Sequence, residues 1–210
     1  MLATEKITEL ITFAYNSIAG QYQDTYAEND DYDLKYVERF LALLNGNKVI
    51  DLGCGTGMVL AHLASKGFKT IGVDSSENML DIAKRNYPAY CFRQLDILNL
   101  PSNFGFFDGA ILSYVVNHFN DEMLSKLKEK IDGLLLANGV VYIAAHIGKG
   151  EKVLPDPLNP DIQLYHHFLS IEKLDNLFSN YNRVFFDTRA SFGEEEFLCD
   201  KMFVAYRKKV

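Results

Sequence analysis

Three acidic residues stand where a folded chain could use them to bind a ligand. Asp51 lies within the first apolar segment of a predicted core, Asp74 ends the second, and Asp96 ends the third. A carboxylate at such a position accepts hydrogen bonds from ligand hydroxyl or amino groups. Asp74 follows Gly53 by 21 residues (74 − 53), a spacing at which an acid can accept both ribose hydroxyls of an adenosine. The spacing therefore predicts a nucleoside site.

A turn with three alternating glycines follows the first apolar segment directly, in Gly53-Cys54-Gly55-Thr56-Gly57. Glycine permits positive φ and lets the backbone approach a ligand without an intervening Cβ. A dinucleotide fingerprint would place its last glycine three positions after Gly55, but Met58 occupies that position. The pattern therefore favours a nucleoside without a pyrophosphate and disfavours an NAD-dependent oxidoreductase.

Two histidines follow strand ends and are candidate acid/base groups. His118 comes shortly after the strand that ends at Ser113, and His146 follows the strand that ends at Ala145. A buried, hydrogen-bonded structural role is the alternative for each histidine. His166 and His167 are adjacent, so neither a helix nor a strand directs both toward one ligand, and no metal site is predicted.

Composition excludes several classes of protein. The 210 residues include 21 basic and 28 acidic side chains, for a net charge of −7, which disfavours nucleic acid as a partner. No apolar run approaches the ~20 residues of a membrane span, and Glu5 and Glu9 do not fit a targeting segment. Three cysteines without a C-x-x-C pair suit a reducing compartment. We therefore expect a cytoplasmic protein that binds no membrane.

Apolar segments with strand and helix character alternate along the chain, which predicts an α/β fold with a mostly parallel sheet and helices on both faces. We expect one domain, 1–210, in four parts. These are an N-terminal helical lid segment (1–45), a cofactor-binding core (46–146), an irregular substrate-side insertion (147–169) and a C-terminal helix with two antiparallel strands (170–210).

Local signals predict some boundaries. They indicate a helix over 4–19, a left-handed cap at Asn45-Gly46 and a helix over 121–136 that Asn138-Gly139 separates from a strand at 140–145. The last two strands are expected near 183–189 and 197–206, and the short connection containing Gly193 implies that they pair antiparallel.

Four segments together resemble the class I S-adenosylmethionine-dependent methyltransferases. They are Val49 to Gly57, Gly72-Val73-Asp74-Ser75-Ser76-Glu77-Asn78-Met79-Leu80, Leu95-Asp96-Ile97 and Phe106 to Leu112. The resemblance is close over roughly residues 45 to 145. It implies a Rossmann-like sheet of seven strands with one strand antiparallel, and S-adenosyl-L-methionine as cofactor.

The resemblance also implies roles for individual residues. The glycines would border the methionine part of the cofactor, Asp51 would face its ammonium group, and Asp74 would hold the ribose. Met79 would pack on the adenine, and Asp96 with Ile97 would bind its edge. The implied cofactor-binding set is Tyr15, Tyr22, Asp51, Gly53, Cys54, Gly55, Gly57, Asp74, Ser75, Met79, Asp96, Ile97 and Ser113.

Tyr15 to Tyr22 resembles the Y-x-x-I-A-x-x-Y lead-in of many small-molecule methyltransferases, which folds over the cofactor as a lid. Tyrosine suits a lid because it joins apolar area to a polar tip. The alternative is a polar loop with aromatic anchors.

The sequence thus predicts methyl transfer to a small or medium-sized acceptor, with His118 and His146 as candidate catalytic residues. The alternative of another class is a non-catalytic nucleoside-binding or partner-regulating protein on the same fold, because a fold alone does not fix function. Neither the acceptor nor the oligomeric state follows from the sequence.

Overall fold

The computed structural model describes residues 2–26, 31–191 and 199–210. Its helices are α1 Thr4–Tyr26, α2 Asp31–Leu41, α3 Met58–Ser65, α4 Glu77–Asn86, α5 Asp121–Leu134 and α6 Ile171–Leu177. Its strands are β1 Lys48–Leu52, β2 Lys69–Asp74, β3 Cys91–Gln94, β4 Phe107–Ser113, β5 Leu135–His146, β6 Gly150–Pro155, β7 Gln163–Phe168, β8 Tyr181–Arg189 and β9 Lys201–Lys208. Two short 3-10 helices cover Ile97–Asn99 and Val116–His118.

Seven strands form one sheet in the order β3-β2-β1-β4-β5-β9-β8. The first five run parallel, and β9 is antiparallel to both of its neighbours. Strand order reverses between β1 and β4, and ligands of open α/β sheets bind at such a switch point, beyond the carboxyl ends of the strands. The predicted fold class and the antiparallel pairing of the last two strands are confirmed.

The two faces of the sheet bury alternate residues of the same strands. Ile50 and Leu52 of β1 pack with α5 and α6, whereas Val49 packs with α2 and α3 on the opposite face. Successive side chains of a strand point to opposite faces, so a strand covered on both sides must be apolar throughout. This explains why β4 and the second half of β5 contain almost only buried apolar residues.

Local boundaries differ from the sequence prediction at several places. The helix α1 continues to Tyr26, so Tyr22 lies within the helix and not in a loop. Asn45-Gly46 is not a left-handed cap, since neither residue has a positive φ. Gly46 is instead required by a close approach, because a Cβ would lie 2.3 Å from the Asp108 carboxylate. That carboxylate accepts a hydrogen bond from the Lys48 N–H.

The transition from α5 to β5 was also predicted too far along the chain. The helix ends at Leu134 and β5 begins at Leu135, so the strand runs through Asn138-Gly139. Asn138 has a φ of 63°, and the pairing of β4 with β5 changes register between Phe107 and Gly109. A local irregularity within the strand thus takes the place of the expected break.

The prediction that residues 147–169 are irregular is wrong. The strands β6 and β7 form an antiparallel pair over Gly150–Pro155 and Gln163–Phe168. Prolines fit there because Pro155 ends an edge strand and the others lie in the connection. β7 is buried from Leu164 to His167, and its carbonyl groups contact the site described below. The connection containing Gly193 lies outside the described residues.

Among the described helices, none combines the length and the apolar character needed to cross a membrane.

Candidate functional site

A cavity lies at the carboxyl ends of β1, β2 and β4, beneath the helix α1. The space without protein atoms in and above it amounts to about 820 Å³ and includes open solvent. We call the strand ends and the glycine turn the floor of this cavity, and α1 with the 3-10 helix Val116–His118 its roof. The described lining residues are Thr8, Ile11, Thr12, Tyr15, Tyr22, Gly53, Gly55, Asp74, Ser75, Met79, Asp96, Ile97, Leu98, Ser113, Tyr114, Val115, His118, Phe119 and Met123.

The glycine turn forms the centre of the floor. Gly53, Gly55 and Gly57 have φ angles of 77°, 50° and 84°, a left-handed region that strains other residues. A Cβ on Gly55 would meet no atom within 4 Å, so this part of the turn faces open space. Gly57 faces the protein interior, where a Cβ would lie 2.9 Å from Phe92. The structure therefore places Gly53 and Gly55 at the cavity and Gly57 behind it.

Asp74 is held at the end of β2 by backbone groups on both sides. Its Oδ2 accepts from the Gly55 N–H at 2.8 Å, and its Oδ1 accepts from the Ser76 N–H at 2.9 Å. Burial raises the pKa of the carboxyl above its ordinary value, while these backbone bonds oppose the rise. Each carboxylate oxygen has lone pairs for a further hydrogen bond, so Asp74 can bind two neighbouring ligand hydroxyls without losing its own support.

Asp51 is buried in β1 behind the turn and does not line the cavity. Within the described part of the chain, its Oδ2 has no hydrogen-bond partner. Burial, and to a smaller extent the charge of Asp74, raises the pKa of Asp51 to about 7. A buried carboxylate oxygen without a partner is costly, and a nearby cationic donor would stabilise its charged form.

Asp96, Ile97 and Met79 form the outer wall of the cavity. The Asp96 carboxylate begins the adjacent 3-10 helix by accepting from the Leu98 N–H at 2.9 Å and from the Asn99 side chain at 2.6 Å. Ile97 and Met79 are buried beside it. Asp96 is thus a fixed hydrogen-bond acceptor that suits the edge of a purine, and Ile97 and Met79 offer apolar surface that suits its face.

The helix α1 is fixed over the floor through the beginning of α4. Asn16 Oδ1 accepts from the Ser76 hydroxyl at 2.8 Å and from the Asn78 N–H at 3.2 Å. The Thr12 and Ser75 hydroxyls lie 3.3 Å apart. Ile18 and Ala19 pack against Met79 below them, so the roof is attached to the same helix that borders the floor.

The opposite edge of α1 contacts the 3-10 helix through Tyr15. The Tyr15 hydroxyl lies 2.7 Å from His118 Nε2, and His118 Nδ1 lies 2.9 Å from the Tyr165 carbonyl oxygen. A carbonyl only accepts, so Nδ1 bears the proton and neutral His118 accepts from Tyr15 at Nε2. Burial lowers the pKa of His118 to about 4, which keeps the ring neutral at physiological pH.

The remaining sequence-predicted residues divide between the cavity and the interior. Ser75, Ser113 and Tyr22 line the cavity. Cys54 packs among Leu60, Leu80 and Phe92, away from the cavity. His146 is buried at the end of β5, with its ring 5.1 Å from that of Tyr114.

Among the cavity residues that were not found from the sequence, three lie on α1. Thr8, Ile11 and Thr12 line the cavity because α1 lies across it, and the helical spacing of Thr8, Thr12 and Tyr15 is the signal that could have identified one face.

Tyr114 follows β4 with a φ of 59°, and its hydroxyl donates to Asp33 of α2 at 2.5 Å. A tyrosine in this conformation is strained, and such strain tends to occur at functional sites.

The charges of the lining distinguish between ligand classes. The described lining contains two carboxylates, Asp74 and Asp96, and none of these residues is Lys or Arg. Such a surface suits a cationic nucleoside and disfavours a pyrophosphate. In the same described residues, no group of three His, Cys, Asp or Glu side chains is arranged to hold a metal ion. The fold, the glycine turn and these carboxylates are those of an α/β domain that suits a nucleoside ligand.

Comparisons with known proteins agree with this class. Residues 49–139 match the family model described as "Methyltransferase domain". The chain is 34% identical over 127 residues to carboxy-S-adenosyl-L-methionine synthase of Campylobacter hominis, which covers 58% of this chain and 52% of that protein. It is 30% identical over 175 residues to an uncharacterised methyltransferase of Schizosaccharomyces pombe, with 75% and 60% covered.

A solved structure shows the same fold over the whole chain. It is the 1,6-didemethyltoxoflavin-N1-methyltransferase of Burkholderia thailandensis with bound 1,6-didemethyltoxoflavin and S-adenosylhomocysteine, at a TM-score of 0.77 and 17% identity, covering 100% of this chain and 92% of that one. The chain spans about half to three-fifths of the two curated relatives above. The comparisons thus show similarity to the methyltransferase domain over residues 49–139 and the fold of the solved neighbour over the whole chain.

Proposed function

We propose that this protein transfers a methyl group from S-adenosylmethionine to a small or medium-sized acceptor. The observation that supports this most strongly is the acidic, cation-free floor, in which Asp74 is preorganised by two backbone N–H groups. A relative named for a carboxylated form of the same cofactor, and a neighbour solved with its demethylated product, support the same ligand.

The residues present fit this cofactor. Asp74 would accept the ribose hydroxyls, and Asp96, Ile97 and Met79 would receive the adenine. Gly55 leaves open space in the turn that follows Asp51, and the unpartnered oxygen of Asp51 suits the amino-acid ammonium group. When bound, the cofactor supplies an electrophilic methyl group on a sulfonium sulfur.

The chain then has to exclude water and align the acceptor. Proximity and orientation alone can lower such a barrier by ~7–11 kcal/mol. Tyr15 and Tyr22 of the roof line the cavity together with Tyr114 at the end of β4, and these tyrosines would provide the alignment. Of the two candidate acid/base histidines, His118 faces the cavity, and His146 stands behind Tyr114.

The acceptor is proposed to be a small molecule. The B. thailandensis neighbour holds 1,6-didemethyltoxoflavin in the same fold, and the tyrosines that line the cavity suit a small acceptor. The net charge of −7 disfavours nucleic acid.

Two alternatives to methyl transfer differ from it in what they require of the cavity. A non-catalytic nucleoside-binding protein would bind the cofactor without using Tyr15 and His118. An NAD-dependent oxidoreductase would need a site for a pyrophosphate, which the floor disfavours.

Calorimetry tests the ligand. S-adenosylmethionine and S-adenosylhomocysteine are expected to bind, and NAD is not; tight binding of NAD would overturn the proposal. A screen of pooled metabolites with methyl-tritiated S-adenosylmethionine then separates enzyme from binder. Label in a small-molecule product supports the proposal, and binding without label in any pool favours the non-catalytic alternative.

A further inference from the structure

The hydrogen bonds of His118 have a fixed direction. The Tyr165 carbonyl can only accept, so His118 Nδ1 donates to it over 2.9 Å. Nε2 of the neutral ring is then an acceptor, and the Tyr15 hydroxyl at 2.7 Å must donate. The two rings also meet edge to face, with centroids 5.4 Å apart. The chain thus specifies one tautomer of one histidine.

The pair connects the cavity to a buried base. Tyr15 and His118 both line the cavity, while the His118 side chain is buried under α1 and β7. A phenol oxygen that donates its own proton still accepts through its lone pairs. The oxygen of Tyr15 can therefore receive a hydrogen bond from a ligand while its own proton is directed at Nε2.

From this geometry we propose that Tyr15 is the catalytic residue that takes a proton from the methyl acceptor, and that His118 acts through it. The inference rests on the proposed function. It also specifies the substrate class: the acceptor bears an N–H or O–H at the atom that is methylated, and not a carbon or a thioether sulfur.

The proton and electron pairs balance in one concerted exchange. The acceptor atom keeps the electron pair of its N–H or O–H bond and uses an electron pair to form the new bond to the methyl carbon. Its proton passes to Tyr15 Oη, and the original proton of Tyr15 passes to His118 Nε2. The electron pair of the broken S–CH₃ bond stays on sulfur. The resulting imidazolium donates through Nδ1 to the Tyr165 carbonyl.

The environment of His118 keeps its ring in the neutral form that can accept a proton. Burial lowers its pKa to about 4, and the bond to Tyr165 opposes that shift. Around the ring stand Tyr15 from α1 and His166 from β7, the latter with a ring centroid 5.2 Å away and a pKa that burial lowers. His118 is therefore neutral before each transfer, with Nε2 as the acceptor.

Two substitutions of His118 separate its two nitrogens. His118→Asn keeps a donor in place of Nδ1 and loses the acceptor for Tyr15. His118→Gln keeps an acceptor near Nε2 but cannot take a proton. Tyr15→Phe removes the hydroxyl, and Tyr87→Phe is the matched control because Tyr87 lies at the end of α4, outside the cavity.

The first measurement needs no acceptor. In protein labelled with ¹⁵N-histidine and saturated with S-adenosylhomocysteine, His118 is expected to show a protonated Nδ1 and an unprotonated, hydrogen-bonded Nε2. Tyr15→Phe should shift the Nε2 signal, whereas Tyr87→Phe should not. A proton on Nε2, or no response to Tyr15→Phe, would overturn the proposal even if calorimetry shows the cofactor bound.

The second measurement uses methyl-tritiated S-adenosylmethionine with separate pools of phenols, heteroaromatic N–H compounds, amines and thioethers. Label is expected in the N–H and O–H pools, with kcat lowered about 10²- to 10⁴-fold in Tyr15→Phe, His118→Asn and His118→Gln. The S-adenosylhomocysteine Kd should stay within threefold. Full kcat in Tyr15→Phe, label confined to thioethers, or no label in any pool would contradict the proposal.

Discussion

The floor and the roof of the cavity are built by different kinds of contact. In the floor, Asp74 is held by N–H groups of Gly55 and Ser76, which are 19 and 2 residues away along the chain. In the roof, Tyr15 meets His118 across 103 residues, and His118 meets the Tyr165 carbonyl of β7. The proposed cofactor site is thus built from short motifs, whereas the proposed acceptor chemistry depends on segments that are distant along the chain.

This difference leads to separable effects of mutation. Substitutions in the floor should alter cofactor affinity while the roof stays in place. Substitutions in the roof should alter the opening of α1 or the turnover rate, with smaller effects on cofactor affinity. A substitution that changed cofactor affinity and turnover equally would show that the floor and the roof do not act separately.

The largest effect on cofactor affinity is expected for Asp74→Ala. Loss of the carboxylate removes the hydrogen bonds to the ribose and leaves the Gly55 and Ser76 N–H groups without their acceptor, so affinity for S-adenosylhomocysteine should fall by ~1–3 kcal/mol, about 5- to 150-fold. Calorimetry measures this directly. Asp81→Ala, on the exposed side of α4, is the control. Unchanged affinity in Asp74→Ala would remove Asp74 from the site.

A second, smaller effect concerns the pH dependence of binding. Burial and the charge of Asp74 raise the pKa of Asp51 to about 7, and only the ionised carboxylate pairs with a ligand ammonium. Affinity should therefore rise as the pH increases from about 5.5 to 7, by up to about tenfold per unit. Asp51→Asn should flatten this slope. An identical slope in wild type and Asp51→Asn would place the ammonium elsewhere.

The smallest effect on affinity is expected from the roof. Asn16→Ala removes the two bonds that Oδ1 accepts from Ser76 and Asn78, each worth ~0.5–1.5 kcal/mol. Hydrogen exchange of α1 should accelerate about 5- to 150-fold, while the Kd for S-adenosylhomocysteine changes only a few-fold. Ser17→Ala is the control, because that hydroxyl bonds only within α1. Equal exchange in the two variants would contradict this account of the attachment.

The sequence predicted the floor well because its signals are local. A strand, a glycine turn and an acid at the end of the next strand each impose their own geometry, and the mostly parallel sheet followed from the alternation of elements. Gly46 shows the limit even there. The glycine is necessary, but its reason is the nearby Asp108 carboxylate and not a left-handed cap.

The roof could not be predicted in the same way. Residues 147–169 lack a strong periodicity, and only pairing with each other shows that β6 and β7 are strands. Sequence reasoning proposed both His118 and His146 as acid/base groups because both follow strand ends. The two environments differ because α1 and β7 contact His118, whereas Tyr114 lies beside His146. The local sequence around either histidine does not indicate these contacts.

A crystal structure of the complex with S-adenosylhomocysteine tests the central claim most directly. We expect the Asp74 carboxylate to accept from both ribose hydroxyls, and the amino-acid ammonium to lie toward Asp51. An adenosine bound outside the floor, or a floor filled by side chains in the complex, would contradict the account.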